Sequence, residues 1–339
     1  MSGAAPLRVG LIGYGVAGRV FHAPFIAADP EFELAAVVTS QTDRISADHP
    51  SATAVPDVEA LLAHPGLDVV VVASPTPLHV AQATAAVEAG LATVVDKPFA
   101  PDAASGRALV ERAEAAGVPF TVFQNRRWDG DFLTLRRLVD DGSLGGVRRF
   151  ESRFEWWKPL ADDSWKSTTG AAEGGGILFD LGAHLIDQAL LLFGPGRVAH
   201  SEVRNRRGGG ADDDVFVAIE HESGTTSHLW MSAVAPIAGP RFRVLGSRSG
   251  FVSWGLDPQE GQLSGGMRPG DPRLGRAIAP ARLGTDSHPD EVSLVPGDYA
   301  EFYRRLARAL RDGSPLPVDA RESLAVLELI DSIHMQNRK

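Results

Sequence analysis

The sequence predicts an α/β protein in two parts: a doubly wound parallel sheet over residues 1–125, and over residues 126–339 an α/β domain with a large open, mostly antiparallel sheet. Three observations carry this. Leu7–His22 reads LRVGLIGYGVAGRVFH, an apolar run passing through a glycine motif into a helical stretch. Short Val/Ile/Leu/Ala runs then alternate with helical stretches as far as Phe123, the pattern of a parallel sheet. From Val147 on, strand-like runs follow one another with few helices between them, the pattern of an antiparallel or mixed sheet.

Leu7–Ile12 is apolar enough for a strand buried on both faces. Gly13-Tyr14-Gly15-Val16-Ala17-Gly18 is a full GxGxxG. Each glycine has its own physical reason: Gly13 for the tight turn, Gly15 so that a pyrophosphate can reach bare backbone, and Gly18 for close packing of helix on strand. The free N–H groups at the helix start face the phosphates. A glycine-rich turn in some other α/β domain is the plain alternative, and the strand–loop–helix frame near the N-terminus argues against it.

The chain has 339 residues, enough for two cores, and its 44% hydrophobic and 22% charged content is globular. A net charge of −10 with no basic run argues against a nucleic-acid partner. The absence of cysteine excludes disulfides, a thiolate nucleophile and a thiolate metal site, and suits a reducing cytoplasm. Met1–Pro6 lacks the apolar core of a signal peptide and no run is long enough to cross a bilayer, so the expected address is cytoplasmic, away from membranes.

Phe32–Thr39 reads as the second strand. Thr39-Ser40-Gln41-Thr42-Asp43-Arg44 follows it, where an NAD-preferring protein usually offers an acidic residue to the ribose. The hydroxyls of Thr39 and Ser40 with Arg44 suit a 2′-phosphate, which favours NADP over NAD, although Asp43 could reach a ribose and Arg44 could be a solvated helix residue. Val55–His64 reads as a short helix and Leu67–Ala73 as a strand running into Ser74-Pro75-Thr76-Pro77-Leu78-His79. Ser74, Pro75, Thr76 and His79 thereby fall at the carboxyl edge of the sheet, where ligands bind, before a helix over Val80–Ala89. Prolines are also common helix starters.

Leu91–Val95 is the next strand and runs into Asp96-Lys97-Pro98. A lysine here projects towards a nicotinamide, and a surface pair with Asp96 would be poor use of a partly desolvated charge. A helix over Ala103–Ala116, a strand over Pro119–Phe123 and the run Gln124–Trp128 end the first part, with the boundary near Asn125. Asp131–Asp141 reads as a helix stopped at Gly142. Strands are expected at Val147–Trp157, Val198–Val203, Val215–Glu220, Thr225–Ala233, Phe242–Gly246 and Gly250–Trp254. Gln259–Ser293, rich in Gly and Pro, reads as irregular surface, and Tyr299–Asp312 and Ala320–Met335 as amphipathic helices.

The second chemical cluster is Gly174-Gly175-Gly176 followed by a helical run from Ile177 to Leu192. In a helix Asp180 and His184 share a face, with Asp187 a turn further on. That gives a proton acceptor near neutral pH and a carboxylate to orient it or a sugar hydroxyl, with glycines leaving room for a substrate. A helix cap with an interface histidine, a metal pair and a flexible glycine linker are the alternatives, and no third metal ligand is evident, so no metal is expected.

Together Gly13–Gly18, Asp96-Lys97-Pro98 and Gly175–His184 resemble the glucose-fructose oxidoreductase, inositol dehydrogenase and MocA (Gfo/Idh/MocA) family over nearly the whole chain. Phe21-His22-Ala23-Pro24, Asn125–Asp129, Asp180-Leu181-Gly182 with His184, and Gly255–Glu260 are similar to the branch holding the NADP-dependent scyllo-inositol dehydrogenases. The resemblance implies a Rossmann domain followed by an α/β domain whose open sheet makes a homodimer or homotetramer. It also implies a substrate pocket lined by Lys97, Asp180 and His184 beside the nicotinamide. Asp96 replaces the family's usual Glu, and Trp156-Trp157-Lys158-Pro159 departs from the branch's Arg-Tyr-Arg-Pro, which bears on substrate identity.

The expected activity is reversible hydride transfer between NADP, or NAD, and a secondary alcohol of a polyol, inositol or sugar. Lys97 or His184 is the base, Asp180 orients His184 or a hydroxyl, and Arg127, Trp157 and Asn125 form the pocket wall. An imine, biliverdin or dihydrodiol reductase and a non-catalytic NADP-sensing regulator are the alternatives on the same scaffold.

Overall fold

The computed structural model describes residues 5–160, 170, 174–277 and 279–337; the first four residues of the Met1–Pro6 stretch lie outside these. Six strands form a parallel sheet: β1 (Leu7–Ile12), β2 (Phe32–Val38), β3 (Thr53–Val55), β4 (Val69–Val72), β5 (Ala92–Asp96) and β6 (Phe120–Phe123). Their order is β3-β2-β1-β4-β5-β6, so the topology reverses between β1 and β4, which opens a crevice at their carboxyl ends. All four valines of β4 are buried, as a central parallel strand requires.

Helices α1 (Ala23–Ala28), α2 (Thr42–Asp48), α3 (Val58–Leu62), α4 (Thr76–Glu88) and α5 (Ala103–Ala116) connect these strands. Asp57 and Asp102 cap α3 and α5 by accepting from Ala60 N and Ser105 N, and Gly117 ends α5 at φ 64°. Two details differ from expectation. The segment before α3 contains the three-residue edge strand β3, too short for any periodicity to show, and α4 begins at Thr76 because Pro75 serves as its extended cap.

Helix α6 (Gly130–Asp140) leads into the second sheet, made of β7 (Val147–Glu155), β8 (Gly196–Arg204), β9 (Asp214–His221), β10 (Thr226–Ser232), β11 (Phe242–Gly246), β12 (Gly250–Ser253), β13 (Ala281–Thr285) and β14 (His288–Val292). Its order is β14-β13-β12-β11-β7-β10-β9-β8, antiparallel except where β7 meets β10. Phe150 and Phe154 on β7 and Leu229 and Met231 on β10 are buried in the core, on the side that carries helix α7 (Ala183–Phe193).

Gln259–Ser293 is irregular only in part. It contains helix α8 (Gln259–Ser264) and the hairpin β13–β14. The hairpin escapes a pattern reading because β14 is an outer strand, largely exposed on both faces and tolerating Pro289, so no alternation marks it. Finally, α9 (Ala300–Asp312) and α10 (Ala320–Asn337) return to the first sheet. Tyr303 stacks on Phe25 of α1, and Thr121 of β6 donates to Val318 O just ahead of α10. Among the described residues no helix is long and apolar enough to cross a membrane.

Candidate active site

At the end of β1 the three glycines separate by geometry. Gly13 has φ 97°, and a Cβ there would lie 2.8 Å from Ala73 O. A Cβ on Gly18 would lie 2.0 Å from Gly13 O, while one on Gly15 would meet nothing within 4 Å. Gly15 is thus bare backbone facing open space. The chain turns wide over Ala17–His22 before α1 begins. A cavity of about 950 Å³ opens here, and Gly15, Lys97, Asn125, Asp180 and His184 are among its lining residues. The open Gly15 backbone and this volume fit a dinucleotide.

Strand β5 delivers Asp96 and Lys97 to that cavity, and the Lys97–Pro98 peptide is cis. Lys97 Nζ donates to Asp180 O at 2.6 Å and to Asp180 Oδ1 at 3.1 Å. Burial alone would raise the Asp96 carboxyl, but His22, Lys97 and His79 outweigh it and hold Asp96 below its ordinary pKa. His22, fully buried, places Nδ1 2.6 Å from Tyr303 Oη and Nε2 3.9 Å from Asp96 Oδ2. His22 thus supports Asp96 from behind, a role that nothing in the local sequence around Phe21-His22 marks.

Asp180 and His184 do not sit on one regular α-helix. Leu178–Gly182 makes a wide turn, and α7 starts only at Ala183. Both residues still line the cavity, and Asp180 Oδ1 accepts from Lys97 there. The ring of His184 is buried, edge-on to Phe154 at 6.3 Å. Gly176 is required by Asp212 rather than by a substrate, since a Cβ would lie 2.1 Å from Asp212 Oδ1. That carboxylate accepts from Leu178 N and fixes the wide turn.

The remaining expected residues divide. Val16, Ala17, Ser74, Pro75, Thr76 and His79 line the cavity. His79 lies 2.9 Å from Pro98 O and 2.7 Å from Ser74 O and so bridges the β4 turn and the β5 turn, while burial lowers its pKa. Tyr14 turns its ring inward, donating to Asp48 at 3.0 Å, and burial pushes its pKa up. Ser40 and Arg44 are exposed just past β2; Gln41 joins that segment to the glycine loop by donating to Tyr14 O and accepting from Arg44. Thr39 Oγ1 accepts from Gln41 N.

Arg127 and Trp157 are not among the residues that line the cavity. Arg127 is buried away from the cavity, with Nε and Nη2 on the Asp187 carboxylate at 2.8 and 2.6 Å and Nη1 on Glu322 at 2.6 Å. Arg126 lines the cavity instead, because Asn125–Trp128 coils into a tight turn and sends successive side chains to different sides. Trp157 is 55% exposed, bridged to Val234 at the frayed end of β7, and Trp156 is the one lining the cavity. Alternation along a strand produces this one-residue offset. Lys158 and the segment Leu256–Ser264 also line it; Lys158 Nζ sits 5.3 Å from the Trp156 ring centroid.

A glycine loop at the switch point of a parallel sheet, with a wide turn and helix α7 on a second sheet bringing a carboxylate and an imidazole to the same cavity, defines the two-part nicotinamide-dependent oxidoreductases. Residues 7–124 match the family model described as oxidoreductase family, NAD-binding Rossmann fold, and residues 132–252 match the Gfo/Idh/MocA C-terminal domain. The chain belongs to the Gfo/Idh/MocA oxidoreductase family.

It is 32% identical over 332 residues to scyllo-inositol 2-dehydrogenase (NADP(+)) IolW of Bacillus subtilis, covering 96% of this chain and 92% of that protein. It is 38% identical over 329 residues to the uncharacterised oxidoreductase YdgJ of Escherichia coli, covering 96% and 94%. The solved structure of YPO2259 from Yersinia pestis superposes with a TM-score of 0.92 at 35% identity, covering 98% of this chain and 95% of that one.

Proposed function

We propose that this chain is an NADP-dependent dehydrogenase that oxidises a secondary alcohol of a polyol, inositol or sugar, acting in the cytoplasm. The observation that carries the reading is the Lys97 ammonium bound to Asp180 at 3.1 Å in the cavity that His184 and Gly15 also line. The names of relatives such as IolW, and the hydroxyls of Thr39 and Ser40 with Arg44, support the choice of substrate class and of NADP. Bound nicotinamide supplies the hydride acceptor. Asp180 aligns the Lys97 ammonium, which holds the substrate oxygen and stabilises negative charge developing on it. His184 takes the hydroxyl proton as the C–H hydride leaves, so carbonyl, reduced dinucleotide and imidazolium balance, and the proton then passes to water. Asn125 and Thr76 line the cofactor end of the cavity.

Lys97→Ala is expected to lower kcat by about 10³-fold while the affinity for NADP is retained. Normal turnover of any accepted polyol by that variant refutes the assignment. Assays of NADP and NAD against inositols, aldoses and their keto or lactone forms decide cofactor and substrate class together. The same reading has copies of the chain pair through the open face of the second sheet, where Phe216 and Trp230 rings lie 5.0 Å apart and Arg153 covers Trp230 at 3.9 Å. Sedimentation as a monomer argues against it.

A further inference from the structure

We propose that Leu256–Ser264 is a second wall of the dinucleotide site, held against the glycine loop by an ion pair between Glu260 and Arg126. Its anchors are polar. Asp257 Oδ2 accepts from Gly130 N at 2.7 Å, and Asp257 Oδ1 accepts from Gln259 N at 2.9 Å. Gln259, 0% exposed, donates to Trp128 O at 3.2 Å and accepts from Tyr299 N at 2.8 Å. Gly297 leaves the room this needs, since a Cβ there would lie 2.2 Å from Gln259 Nε2. Burial raises the Asp257 carboxyl, so the anchoring is bought against a desolvation penalty that an ordinary surface loop avoids.

The anchors fix the backbone so that Glu260, Gly261 and Ser264 line the same cavity as Gly15 and Ala17, while Leu263 packs into the apolar cluster that holds Val20. Glu260 is the odd residue here, because a carboxylate repels a pyrophosphate unless it is neutralised. Arg126 neutralises it. That guanidinium follows Asn125 at the end of β6, is 9% exposed against 48% for Glu260, and is backed by Asp129 at 3.5 Å. The pair therefore joins the turn after β6 to the segment from the second part, at the wall of the cavity that the glycine loop lines.

The test needs binding only, with no substrate. Amide hydrogen exchange of the whole chain is measured alone, with NADPH and with NADH. Slowed exchange over residues 256–264 together with 13–18 is the expected result. Slowing at 13–18 with 256–264 unchanged overturns the proposal and leaves the dehydrogenase reading standing; slowing at neither, with either nucleotide, overturns both. Arg126→Gln, which leaves the Glu260 carboxylate beside the pyrophosphate without its cation, is expected to raise the NADPH dissociation rate about fivefold, and Arg126→Gln/Glu260→Gln to recover most of it. An unchanged dissociation rate overturns the role of the pair.

Discussion

Replacing Gly15 and Gly18 separately by alanine splits ligand binding from folding inside a single motif. At Gly18 the new methyl would sit 2.0 Å from Gly13 O, a backbone atom at the end of β1. Relief requires the Ala17–His22 turn to move off the strand, the kind of overpacking that costs about 3 kcal/mol. At ~2 °C per kcal/mol for a chain of this size, Gly18→Ala is expected to melt about 6 °C below the parent, with or without ligand. At Gly15 the new methyl meets nothing within 4 Å and φ is not in the left-handed region, so the fold is untouched. The methyl instead occupies the space a phosphate needs, and dinucleotide affinity is expected to fall at least about tenfold, ~1.4 kcal/mol. Differential scanning fluorimetry reads the first effect and quenching of NADPH fluorescence the second. Parent-like affinity in Gly15→Ala, or parent-like melting in Gly18→Ala, refutes the division of roles.

Two further outcomes follow from the buried charges. Arg127→Met leaves the Asp187 carboxylate, 2% exposed, without its bidentate partner and is expected to cost about 3–5 kcal/mol in denaturant unfolding; the double variant Arg127→Met/Asp187→Leu recovers most of it, which a substrate-binding role for Arg127 would not produce. Burial raises Asp129 to about 7 and Asp131 and Asp212 to about 6. Their folded values lie above the unfolded one, so the native state binds protons that the unfolded chain has released. The stability they contribute is complete below about pH 4 and is lost as pH rises through 6 to 7. Since His49, His79, His221 and His228, whose pKa values burial lowers, act in the opposite direction, the difference is the readout: the melting temperature of Asp129→Asn relative to the parent is expected to rise between pH 5 and 8, and a flat or falling difference contradicts the sign.

What the sequence reveals and what it hides divide by physical cause. Gly13, Gly18 and the four valines of β4 are legible because each answers a local demand: a turn, a close approach, a strand buried on both faces. Arg127 and Trp157 were each one residue away from the side chain that lines the cavity, since which of two neighbours points inward at the end of an element depends on how that element stops. The Asn125–Trp128 turn and the frayed end of β7 are set by packing from distant parts of the chain, including Glu322 on α10 and Val234 beyond β10.

Leu256–Ser264 was hidden for a different reason. It is held by side chains bonded to backbone groups of Trp128, Gly130 and Tyr299, and such bonds have no period along the chain. A reading based on apolar spacing finds no period there, and the likeness of Gly255–Glu260 to the family branch assigns these side chains no role. The more telling local sign is an acid and an amide two residues apart, Asp257 and Gln259, either side of a proline. Side chains of this kind bond backbone readily, and when both are buried they specify a loop as firmly as a hydrophobic stripe specifies a helix. In a cleft built from two sheets, segments held in this way can reach across from one sheet to the other without contributing to either core.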